Sequence, residues 1–123
     1  MLPVEPRAIT QHEVAAIREA FAVAPTEGIS PPSEATLAEL RVVCRCPCGC
    51  ASVRFVPEPV ETSPSVTILA DAEGRAPTGE ALGLIVWGTP EQITGIEVHW
   101  VLTEGAPLPV PGSMRPYGSP GAQ

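Results

Sequence analysis

The sequence predicts an α+β domain: an N-terminal helix packed on a five-strand antiparallel meander sheet. Three observations lead there. In "TQHEVAAIREAFAVAP", apolar residues recur at three- and four-residue steps; after residue 40 the pattern changes to two-residue alternation; and most links between the alternating runs are short. A chain of 123 residues, 44% apolar and 17% charged, is globular in composition and long enough for one modest core.

Residues 1–9 read as an N-terminal arm. Thr10 and Glu13 form a capping box that starts the helix, Val14, Ile17, Phe21 and Ala24 make its apolar stripe, and Pro25 and Gly28 end it. "SPPSEATLAEL" suits a short second helix, with Ser30 as cap and Pro31 as first residue. In "LRVVCRC", Leu40, Val42 and Cys44 share one face of a strand, opposite Arg41, Val43 and Arg45. "SVRFV" is a second strand, followed by a loop holding Pro57, Pro59 and Pro64, then by "SVTILADA" as the third. "ALGLIVWG" is apolar on both parities, which suits a central strand. "ITGIEVHWVL" completes the sheet, with Ile96, Val98 and Trp100 opposite Glu97, His99 and Val101. The domain therefore spans 10–104. Residues 105–123 hold five prolines and four glycines and read as a flexible, disordered tail, the alternative being docking through Leu108, Val110 or Tyr117.

With Leu82, Leu84, Val86, Val98 and Trp100 under the helix, Val43, Leu69, Ile85, Trp87 and Val101 point the other way. Such an apolar face, rimmed by Arg41, Arg54, Glu97 and His99, suits a protein partner or a second copy in a homodimer. The opposite parity would make Ile85 and Trp87 core residues. Fourteen acidic against seven basic residues give a net charge of −7, which disfavours nucleic acid and anionic membrane as partners. The N-terminus lacks a basic start followed by an apolar run, and no apolar run reaches membrane-spanning length. The expected location is the cytoplasm, where thiols stay reduced.

The four cysteines all lie in "CRCPCGC", residues 44–50. Three readings compete. As a metal site, Cys46, Cys48 and Cys50 are the first ligands because Pro47 and Gly49 bend the chain between them, with Cys44 and His99 as further candidates. Such a thiolate set suits zinc or copper(I), although the second, distant knuckle usual in structural zinc sites is missing. As a redox protein, the same thiols would cycle to disulfides. As a tight turn, they are small packing residues and no cofactor is needed. No H-E-x-x-H, G-x-S-x-G or phosphate-loop signature is present, which leans against an enzyme. The leading expectation is a non-catalytic binding or protein-interaction module, ahead of thiolate metal binding and then thiol redox chemistry.

"CRCPCGCASVRF" followed by "ITGIEVHW" resembles a group of small uncharacterised bacterial proteins. In that group an N-terminal helix precedes a C-x-C-G-C-x-[ST] turn and a strand ending in Leu/Ile-Glu-Val-aromatic. Cys46, Cys48, Gly49, Cys50 and Ser52 match the turn, and Ile96, Glu97 and Val98 match the strand, with His99 in the aromatic place. Cys44 lies outside the shared pattern. The resemblance spans roughly residues 10–102 and implies an α+β fold without supplying an activity.

Overall fold

The computed structural model describes residues 1–56, 66–100 and 105–118. Its elements are β1 (Leu2–Ala8), α1 (Gln11–Val23), α2 (Glu34–Ala38), β2 (Arg41–Arg45), β3 (Val53–Arg54), β4 (Thr67–Arg75), β5 (Ala81–Thr89), β6 (Gln92–Trp100) and β7 (Arg115–Pro116). The α+β class holds, but the sheet has seven strands, in the order β1-β2-β3-β6-β5-β4-β7. All of its pairings are antiparallel.

The five-strand meander is corrected in two ways. First, β3 lies beside β6, so two strands separate it from β4. A short turn forces neighbours together, but the proline-containing link after β3 does not. Second, β1 and β7 extend the sheet at its two edges. Both contain proline, which lacks a donor and is tolerated at an edge, and this hid them from a reading based on alternation. Among the described residues no helix is long and apolar enough to cross a membrane.

The capping box forms as expected. The Glu13 N–H donates to Thr10 Oγ1 at 3.0 Å, and the Thr10 N–H donates to Glu13 Oε1 at 2.9 Å. Arg7 of β1 adds two further hydrogen bonds to the same carboxylate, at 3.0 and 2.8 Å. The buried stripe of α1 is Glu13, Ala16, Ile17, Ala20 and Phe21, while Val14 and Ala24 are half-buried. The helix packs on β4 and β5, where Ala70, Ala72, Leu84 and Val86 are buried. Small residues on both sides of this contact permit a close approach. The second helix starts at Ser33, whose hydroxyl accepts from the Thr36 N–H at 3.1 Å, three residues beyond the expected cap.

The tail expectation is overturned for residues 105–118. Ala106, Leu108 and Met114 are buried in the core, Pro109 is fully buried, and Arg115–Pro116 pair with β4. Glu19 of α1 accepts from the Gly112 N–H at 2.8 Å and the Met114 N–H at 2.9 Å. Val110 donates to the Arg75 carbonyl at 2.8 Å. A Cβ on Gly74 would stand 2.9 Å from Pro109 Cβ, so glycine is required where the segment crosses β4. The segment has no periodicity of its own because partners distant in sequence hold it.

Of the expected outward face, Val43, Ile85 and Trp87 are half-buried, and Val101 lies outside the described residues. Leu69 is corrected to the core. A register shift between Ile68 and Ala70 breaks the alternation, so Leu69 and Ala70 are both buried. The Trp87 Nε1–H donates to Glu97 Oε1 at 2.9 Å across the strands.

Two outcomes test this account. Leu108→Ala should cost about 2 kcal/mol or more in urea denaturation, the usual range for emptying a buried leucine site; an unchanged midpoint would mean that the segment does not dock. Burial pushes the Glu13 carboxyl up, but the Arg7 and Thr10 hydrogen bonds outweigh it and hold the group below the ordinary carboxylate range. Its contribution is therefore present above the unfolded value and lost as pH falls through the folded one. Glu13→Gln should be less stable at neutral pH and lose less stability on acidification, as read by thermal denaturation across that range.

Candidate metal centre

The cysteine loop closes a hairpin between β2 and β3. The Cys46 N–H donates to the Ser52 carbonyl at 3.2 Å, and the Gly49 N–H donates to the Cys46 carbonyl at 3.2 Å. The second bond defines a β-turn with Pro47 at its second position, where its fixed φ is favourable. Gly49 ends the turn at φ +86°, a left-handed conformation that favours glycine. This turn swings Cys46, Cys48 and Cys50 to one side.

The three sulfurs lie within 4.8 Å of one another, and all three residues are half-buried. The sequence placed Cys44 and His99 beside them, but neither joins the group. Cys44 is 3% exposed on the core face of β2. His99 is exposed on β6, with its ring over Gly83: a Cβ there would stand 2.3 Å from Nε2.

Ser52 organises the loop, and alternation gave no sign of it. Its hydroxyl accepts from the Val98 N–H at 2.8 Å, donates to the Val98 carbonyl at 3.3 Å and receives the Cys50 thiol at 3.2 Å. The Ala51 N–H donates to the Ala106 carbonyl at 2.7 Å, so the docked C-terminal segment braces the loop from the other side. Only the C-x-C-G-C-x-S pattern singled out this serine, without saying what it bonds.

Cys46 and Cys48 stand 2.9 Å apart, sulfur to sulfur. Their hydrogen bond separates the two thiols. Cys46 is pushed up to about 11, chiefly because its S–H donates to Cys48. Cys48 is held down at about 7 by that same bond, helped by the N–H groups of Cys50 and Gly105. Zinc–thiolate bonds of about 2.3 Å would set tetrahedral ligands roughly 3.8 Å apart. An ion entering between these sulfurs would replace the shared proton and open the pair by about that difference.

The loop opens on a cavity of about 580 Å³, lined also by Trp87, Thr94, Glu97, His99 and Trp100. No protein-family model, curated protein or solved structure matches the chain.

In metal-free protein, Cys48 should alkylate first, with a rate that rises through a midpoint near pH 7, because the thiolate is the nucleophile. Cys44 should stay unlabelled until denaturant is added. Peptide mapping after limited iodoacetamide treatment reads both outcomes, and preferential labelling of Cys46 would contradict the direction of the hydrogen bond.

Proposed function

We propose that this protein binds a soft d¹⁰ metal ion, zinc or copper(I), through the thiolates of Cys46, Cys48 and Cys50. The observation that carries the reading is the convergence of three sulfurs within 4.8 Å on a loop pinned at both ends. Thiolates select soft and borderline ions over hard ones, which favours this pair of metals over magnesium or calcium. Copper(I) is satisfied by three thiolates. Zinc would take a fourth ligand from solvent or a bound molecule, since closed structural sites use four protein donors. The half-burial of the three residues suits exchange of the ion with the surroundings better than permanent enclosure. A non-catalytic interaction module, the leading expectation from sequence, has no comparably concentrated set of groups behind it.

Binding must displace the Cys46 proton, held at about 11, so affinity should rise with pH across the neutral range. Native mass spectrometry of protein produced in zinc- or copper-supplemented medium should show one bound ion. The triple variant Cys46→Ser/Cys48→Ser/Cys50→Ser should lose it, and Cys44→Ser should retain it. Saturating metal should also raise the melting temperature of the parent, because an ion that binds the folded state stabilises it. A metal-free mass from both media, with freely titrating thiols, would overturn the reading.

A further inference from the structure

We propose that the cavity beside the cysteine loop seats a neutral aromatic nitrogen base, an imidazole bearing an aromatic substituent, as the fourth ligand of a zinc ion held by Cys46, Cys48 and Cys50. Three thiolates leave a tetrahedral ion one open position, so the proposal rests on the zinc form of the metal reading. Alternate residues of the loop line the cavity: Cys46, Cys48, Cys50 and Ser52, but not Pro47, Gly49 or Ala51. The side of the loop that carries the sulfurs is therefore the side that faces the cavity. Hydrogen bonds fix the same arrangement. The Cys50 thiol donates to Ser52 Oγ at 3.2 Å, that hydroxyl accepts from the Val98 N–H at 2.8 Å, and Ser52 and Val98 both belong to the cavity wall. With the sulfurs between the ion and the loop backbone, the fourth bond is directed away from the backbone and into the cavity.

Charge and lining set the class of ligand. Three thiolates on a divalent ion leave the centre negatively charged, and Glu97 adds a carboxylate to the same wall. Arg54 and the amino group of Met1 at most balance these two charges, and both residues already have partners. No surplus of positive charge is left to hold a fourth anion, so a neutral donor is favoured. Zinc is borderline-soft and takes imidazole nitrogen readily beside thiolates. Val53, Val66, Trp87 and Trp100 make the rest of the wall apolar and aromatic, which suits a flat ring on the donor. The volume, about 580 Å³, is that of a small-molecule site. His99 shares the wall, but its ring stands over Gly83 of β5, so it does not take the position itself.

Cobalt(II) reports on such a site, because it accepts the same tetrahedral geometry and its visible bands respond to the fourth ligand. The full chain, loaded with cobalt under anaerobic conditions, is titrated with 4-phenylimidazole, with imidazole and with benzoate. 4-Phenylimidazole should shift the bands saturably with one equivalent per cobalt. It should bind about tenfold or more tightly than imidazole, which has no ring to bury against the wall, and benzoate should leave the bands unchanged. Trp87→Leu should weaken 4-phenylimidazole by about threefold or more and leave imidazole unaltered. His99→Ala should leave the spectrum before titration unchanged. A chain that takes up no cobalt on its thiolates would overturn the metal reading and this proposal together. Cobalt uptake with bands that no imidazole moves would overturn this proposal alone. So would equal affinity for the two imidazoles, tighter binding of benzoate, affinities unchanged by Trp87→Leu, or a starting spectrum altered by His99→Ala.

Discussion

Just before the two-residue strand β3 begins, the N–H and C=O of Val98 on β6 face a place where the neighbouring strand is not yet paired. Buried backbone groups left in that state cost their full desolvation penalty. Ser52 removes the problem by answering both groups with one hydroxyl. That constraint fixes residue 52 in space, and the Cys46–Ser52 and Ala51–Ala106 backbone bonds then fix the loop around it. The sulfurs converge because the sheet needs a hydrogen-bonding residue there and the chain must turn to reach it.

Two carboxylates of α1 play a similar part for the chain ends. Glu13 gathers the N-cap backbone and Arg7 of β1. Glu19 gathers Gly112 and Met114 just before β7. Glu13 acts locally and Glu19 over a long sequence distance, and each draws a proline-containing segment against the domain. The resulting edge strands also suit their position, since proline discourages further strand pairing.

The docked C-terminal segment thus reaches a site far from it in sequence. Ala106 braces the cysteine loop and lines the same cavity, and the Gly105 N–H helps to hold Cys48 as a thiolate. The loop is polarised before any ion arrives: one thiol keeps its proton and directs it at a neighbour that readily gives up its own. The three cysteines of the loop also line the cavity, so loop and cavity share a wall.

Local pattern was enough for those features whose physical cause is local. The capping box at Thr10 and Glu13, the buried Ile17 and Phe21, the alternation of β2 and the turn at Pro47 and Gly49 all follow from interactions a few residues apart, so they could be read directly. The convergence of Cys46, Cys48 and Cys50 was legible for the same reason: five residues around a proline and a glycine leave their sulfurs little freedom. The strand order, the burial of Leu69, the docking of Leu108 and the role of Ser52 were not legible. Each depends on a partner far along the chain: β6 for β3 and Ser52, a register shift against β5 for Leu69, and Glu19 with β4 for the C-terminal segment. Sequence alone put four thiols within reach of one another. Only tertiary structure decided that Cys44 turns into the core while the other three stand at the mouth of a cavity, because burial of the β2 face and hydrogen bonding along β6 are properties of the assembled sheet.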